Sequence, residues 1–84
     1  MASDDAPLQM VVMAFGPLPE RLGGRRHAIS APQGSTIRDV VVSLELTEWI
    51  AFGLSVAMNG DRCDVDTLVE DGAEVALLPP VSGG

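Results

Sequence analysis

The sequence predicts an α+β fold, a mixed sheet with one main helix packed across it. Three observations lead there. The chain has 84 residues, one domain's worth, and a domain of this size buries only about 60% of its unfolded surface, enough for a single thin core. Apolar residues recur at helical spacing in one main stretch, residues 35–46, while the other apolar runs are short and read as strands. Between those runs lie the turn signals Gly16-Pro17, Asn59-Gly60 and Asp71-Gly72.

Residues 1–7 are polar, acidic and closed by Pro7, and form a loose N-terminal segment. Residues 8–15 (LQMVVMAF) are apolar nearly throughout and stop at Gly16-Pro17, which fits a strand buried on both faces. Residues 16–24 (GPLPERLGG) hold two prolines and three glycines and read as a connection. Residues 25–30 (RRHAIS) can pair back as a second strand, and residues 31–34 (APQG) turn. The period then changes. Ile37, Val40, Val41 and Leu44 form an i, i+3, i+4, i+7 stripe, with Ser35 or Thr36 as cap and Asp39 in the first turn. Three consecutive valines weaken the intrinsic helix, so packing must hold it.

A second helical turn begins at Thr47 as cap and runs to Gly53, carrying Trp49, Ile50 and Phe52. Residues 54–58 form a strand stopped by Asn59-Gly60, the strongest short hairpin signal, with residues 62–65 as a short returning edge. Leu68-Val69 plugs a loop. Residues 73–78 (AEVALL) form the last strand, apolar enough to lie centrally beside the first. Pro79-Pro80 then stops the ladder and holds the chain extended. The domain spans residues 8–80, and residues 81–84 form a flexible tail. A β-β-α-β-β-β order with the last strand beside the first describes the ubiquitin-like β-grasp fold.

Composition narrows the function. Twelve acidic residues against five basic ones give a net charge of −7, and all five basic residues are arginine. Such a surface repels phosphate backbones and anionic lipid, so nucleic-acid and membrane partners are disfavoured, whereas a basic docking face is favoured. One cysteine, Cys63, cannot build a disulfide framework, a zinc knuckle or an iron–sulfur cluster. A reducing, cytoplasmic setting follows, and the N-terminus has no basic leader.

Catalytic groups are scarce. The single His27 stands in a predicted strand with no nucleophile nearby in sequence. The acidic stretch 61–66 (DRCDVD) lacks the glycine and distal glutamate of a calcium loop and reads as solvated charge. Cys63 has acidic neighbours, which oppose a reactive thiolate. Gly23-Gly24-Arg25-Arg26 is not followed by a helix, as a phosphate loop would be. No metal site and no catalytic residue of the chain's own is expected.

The last six residues, Pro79-Pro80-Val81-Ser82-Gly83-Gly84, are different. They make a thin extended tether whose end has no side chains, so it can enter a narrow channel and expose its terminal carboxylate. A carboxylate becomes an electrophile only after activation, for instance as an acyl-adenylate in another protein's nucleotide site.

The run from Asp71-Gly72 through Leu78-Pro79-Pro80-Val81-Ser82-Gly83-Gly84 resembles the C-terminal signature of the MoaD/ThiS sulfur-carrier family, most of all the small subunit of molybdopterin synthase. Val56-Ala57-Met58-Asn59-Gly60 looks like that family's strand and hairpin, residues 36–46 like its helix, and residues 18–24 like its first loop. The resemblance implies that Gly84 is adenylated by an E1-like enzyme using ATP and converted to a thiocarboxylate. The sulfur then passes to an acceptor held by the molybdopterin synthase large subunit or another sulfur-accepting enzyme. It makes Gly83, Ser82 and Val81 the segment that threads the partner, and Leu78, Pro79, Pro80 and Phe15 the partner-binding residues. No cofactor is bound by the carrier itself. The aromatic residue usual before the prolines is leucine here; carriers for cysteine, thiosugar or tungsten-cofactor synthesis have near-identical tails, and the thiamine-pathway carriers, a further alternative, are shorter. A ubiquitin-like modifier conjugated through Gly84, or a passive adaptor, are the other readings.

Overall fold

The computed structural model describes residues 6–80. A five-stranded mixed sheet, in the order β2-β1-β5-β3-β4, carries helices on one face. The strands are β1 (Leu8–Ala14), β2 (Arg26–Ala31), β3 (Ser55–Met58), β4 (Asp61–Cys63) and β5 (Ala73–Leu78). β5 lies in the centre, parallel to β1 and antiparallel to β3. This is the β-grasp arrangement.

Side-chain alternation decides which face is covered. Leu8, Met10, Val12 and Ala14 of β1 point into the core with Ala73, Val75 and Leu77 of β5 and Val56 of β3. The other face carries Val11, Met13, Ala76 and Leu78, all half-buried, so β1 is covered on one face and not on both. Its apolar composition misleads because an open face can also be apolar.

Helix α2 (Ile37–Ser43) closes the core through Ile37, Val40 and Val41. Its start is a reciprocal cap: the Asp39 N–H donates to Thr36 Oγ1 at 3.2 Å, and the Thr36 N–H donates to Asp39 Oδ2 at 3.0 Å. The helix is shorter than the periodicity of residues 35–46 predicts. Glu45 adopts φ of 62°, a left-handed kink that ends the helix and turns Leu46 into the core, where it is 1% exposed.

Two further helices are short. Residues 16–24, read as a connection, contain α1 (Leu18–Leu22), in which Pro19 sits in the first turn where no N–H is needed. Leu18, fully buried, anchors it. Helix α3 (Thr47–Ala51) is capped by Leu46 rather than Thr47. The rings of Trp49 and Phe52 meet edge to face beside it, with centroids 5.7 Å apart. Asn59 and Gly60, with φ of 54° and 88°, make the tight β3–β4 turn, and Asn59 Oδ1 accepts the Glu74 N–H at 3.0 Å. In the loop after β4 Val69 plugs the core with Val65 packed partly against it, whereas Leu68 is exposed. Among the described residues no helix is long and apolar enough to cross a membrane.

Candidate functional site at the base of the tail

β5 is the central strand, and it ends at Leu78 against two neighbours. On one side Ser55 opens β3 opposite Leu78. On the other the Phe15 N–H donates to the Leu77 carbonyl at 3.3 Å, the last contact before β1 turns away. Strand alternation therefore splits the end of β5 between two environments: Leu77 is fully buried, and Leu78 stands half-buried on the open face. Phe15 is also half-buried, so both expected apolar contact residues sit at one end of the sheet.

Pro79 leaves the sheet along the turn that follows β1. Gly16 there has φ of 63°, and a Cβ at Gly16 would lie 3.3 Å from Pro79 Cγ. The proline ring thus rests on a bare α-carbon. Pro79 is half-buried and Pro80 exposed. Val81, Ser82, Gly83 and Gly84, the expected threading and activation residues, lie outside the described residues.

Two arginines border the open face of the sheet. Arg26 pairs with Glu74 at 3.7 Å across the open face, and the Arg62 guanidinium donates to Ser55 Oγ at 3.1 Å. Arg26 and Arg62 lie on the outer strands level with Met13, Ala76 and Ala57, so the apolar middle of the face has an arginine at each side. Most acids among the described residues lie elsewhere. Arg38 and Asp66, on the helical side, meet at 3.0 Å. The hydrogen bond and charge of Arg38 hold the exposed Asp66 carboxyl below the usual carboxylate range.

The other chemistry-bearing residues are occupied structurally. His27 Nε2 donates to the Gly24 carbonyl at 2.8 Å. In the acidic stretch Asp64 Oδ1 accepts the Asp66 N–H at 2.9 Å, a local turn. Cys63 is half-buried in β4 opposite Val56. Among the described residues no three His, Cys, Asp or Glu side chains are grouped to hold a metal ion. The Gly16–Pro79 contact was not foreseen; its one local trace is the Gly16-Pro17 turn signal.

A small β-grasp domain whose central strand runs straight into a Pro-Pro exit belongs to the ubiquitin-like class of folds. A model of the ThiS family matches residues 12–84, and the chain belongs to that family. Its fold is that of the ThiS/MoaD sulfur carriers and of small archaeal ubiquitin-like modifiers. The crystal structure of SAMP1 from Haloferax volcanii is 28% identical, covers 90% of this chain and 99% of its own, and superposes with a TM-score of 0.71. Subunit 1 or 2 of the molybdopterin-converting factor from Helicobacter pylori, solved as a protein–protein complex of the two, is 27% identical over 92% of this chain and 100% of its own, with a TM-score of 0.60. The small archaeal modifier protein 1 of Methanosarcina acetivorans shares the fold at 24% identity, over 93% of this chain and 98% of its own, with a TM-score of 0.72.

Proposed function

We propose that this protein is a sulfur carrier in molybdopterin synthesis, a co-substrate rather than an enzyme. The observation that carries the reading is the family match running through residue 84, over a tail that reads Leu78-Pro79-Pro80-Val81-Ser82-Gly83-Gly84. An oxygen of the Gly84 carboxylate attacks the α-phosphorus of ATP in an E1-like enzyme, and pyrophosphate leaves. A hydrosulfide equivalent then attacks the acyl carbon, AMP leaves, and a thiocarboxylate remains. Leu78, Phe15 and the prolines dock on the synthase large subunit while Val81, Ser82 and Gly83 carry the thiocarboxylate to the acceptor. The Helicobacter pylori relative, described as a complex of two subunits of a molybdopterin-converting factor, supports that partner. ATP is consumed in the activating enzyme's site and not on this chain. The work of the chain is geometric: it presents a thin, uncharged tether at a fixed point.

Likeness to SAMP1 favours a second reading, a protein modifier joined through Gly84 to lysines of other proteins. Both readings need activation at Gly84. ATP–pyrophosphate exchange with the cognate E1-like enzyme tests that step, using the full chain, a Gly84-deleted chain and one extended by a single residue. Removing one glycine retracts the carboxylate by about 3.5 Å, and misplacement of about 1 Å can cost 100-fold in rate. Exchange should vanish in both altered chains, and unchanged exchange in the deleted form would overturn both readings. Mass spectrometry of protein purified from cells separates them: one oxygen replaced by sulfur supports the carrier, branched conjugates the modifier.

A further inference from the structure

We propose that Gly16 is a positioning residue for the C-terminal tail, acting through the Pro79 ring that lies on it; this inference rests on the carrier reading above. Gly16 differs from the other described glycines. At Gly23, Gly34, Gly53, Gly60 and Gly72 an added Cβ would meet nothing within 4 Å, and at Gly24 it would meet only the edge of the His27 ring at 3.9 Å. At Gly16 it would meet Pro79 Cγ at 3.3 Å, Cδ at 3.7 Å and Cβ at 3.9 Å. Chain conformation and a long-range contact thus both favour a missing side chain at one residue.

The floor is tied to its neighbours by hydrogen bonds. Phe15, just before Gly16, is held to β5 by its N–H to the Leu77 carbonyl. Its own carbonyl accepts the Leu18 N–H at 3.2 Å, and Leu18 is locked in the core. Gly16 is therefore held in a hydrogen-bonded turn, and a Cβ there presses on the proline ring, which must give by a few tenths of an ångström. Proline has a fixed φ and Pro80 follows at once, so a tilt of the Pro79 ring is passed on to the direction in which Val81 departs. Gly16 touches no reacting atom. It sets where the tether starts and which way it points, and an activating enzyme that docks the folded domain and the tail together senses both.

The test separates this contact from the general cost of a side chain at positive φ. Gly23 has φ of 81° with open space around it, so Gly23→Ala carries the conformational cost alone. Both variants and wild type are compared by thermal melting and by kcat and KM in pyrophosphate exchange, below the melting range of all three. Gly16→Ala should lower kcat/KM by at least about threefold, short of the ~100-fold that a full 1 Å misplacement can bring. Gly23→Ala should match wild type in exchange while losing comparable thermal stability. In a Pro79→Ala background the Gly16→Ala effect should shrink, because the ring it strikes is gone. Equal exchange for Gly16→Ala and Gly23→Ala, or the same Gly16→Ala effect in both backgrounds, overturns the proposal. Residual dipolar couplings at the Val81 amide give a readout free of the enzyme. They should change in Gly16→Ala and stay put in Gly23→Ala, and unchanged couplings in both also overturn it. Failure of wild type itself to support exchange would count against the carrier reading instead.

Discussion

Leu77 and Leu78 are adjacent, identical in composition, and assigned opposite roles by the sheet. Leu77 is fully buried between Ala14 and Val56. Leu77→Ala leaves a cavity at the centre of the sheet and should cost about 3 kcal/mol, within the ~2–5 range for buried leucine. For a domain of this length that lowers the melting temperature by roughly 12–24 °C, a large part of a total stability of about 5–15 kcal/mol. Leu78 is half-buried on the open face. Leu78→Asp gives up about half the transfer value of a buried leucine, about 1 kcal/mol, or roughly 4–8 °C. Its effect on docking should be larger, since an unpaired carboxylate forced into an apolar contact acts at hot-spot scale, about 2 kcal/mol or ~30-fold in affinity. Circular-dichroism melts and calorimetric titration with the synthase large subunit measure both quantities. Leu77→Ala should bind normally below its lowered melting point, and Leu78→Asp should stay folded and bind weakly. A Leu78→Asp melt as depressed as that of Leu77→Ala would place Leu78 in the core. Unchanged binding would remove it from the interface.

Two further outcomes follow from local geometry. Thr36→Ala removes the hydroxyl half of the reciprocal cap on α2 and should cost about 1 kcal/mol, roughly 4–8 °C; an unshifted melt would show that the cap contributes nothing. Arg38 depresses the Asp66 pKa in the folded state, so the contact contributes above the ordinary aspartate value of about 3.9 and is lost as pH falls through the lower folded value. Wild type should therefore melt slightly above Asp66→Asn near neutral pH, with the gap closing in acid and shrinking with salt because the pair is exposed. A gap independent of pH would contradict this.

Legibility in the sequence followed the range of the interaction. β5 matches its predicted bounds because Asp71-Gly72 and Pro79-Pro80 bracket it with residues that have few conformational choices. The opposite faces of Leu77 and Leu78 follow from strand alternation once the covered face is known. α1 stayed hidden because prolines and glycines dominate residues 16–24, and its stability comes from Leu18 in a distant core. The end of α2 stayed hidden because Glu45 is not a residue type that signals a left-handed turn; the burial of Leu46 forces it. At the site, the tail residues are a local motif and could be read directly. The seating of Pro79 on Gly16 joins residues 63 positions apart, and the Gly16-Pro17 turn signal marks only one of the two partners.

The parallel pairing of β1 with β5 has a consequence for how the protein is made. Val12 lies beside Val75, a partner synthesised 63 residues later, so the sheet's centre cannot close until its last strand has emerged. The β1–β2 hairpin, α2 and the β3–β4 hairpin all precede β5 in the chain. Folding is thereby tied to the arrival of the segment that bears the tail, at the cost of slow, non-local closure. A chain broken before residue 73 lacks the central strand and leaves the buried faces of β1 and β3 unpaired, marking it for proteolysis. The buried faces of the sheet are thus completed only when residues 73–78 have been made.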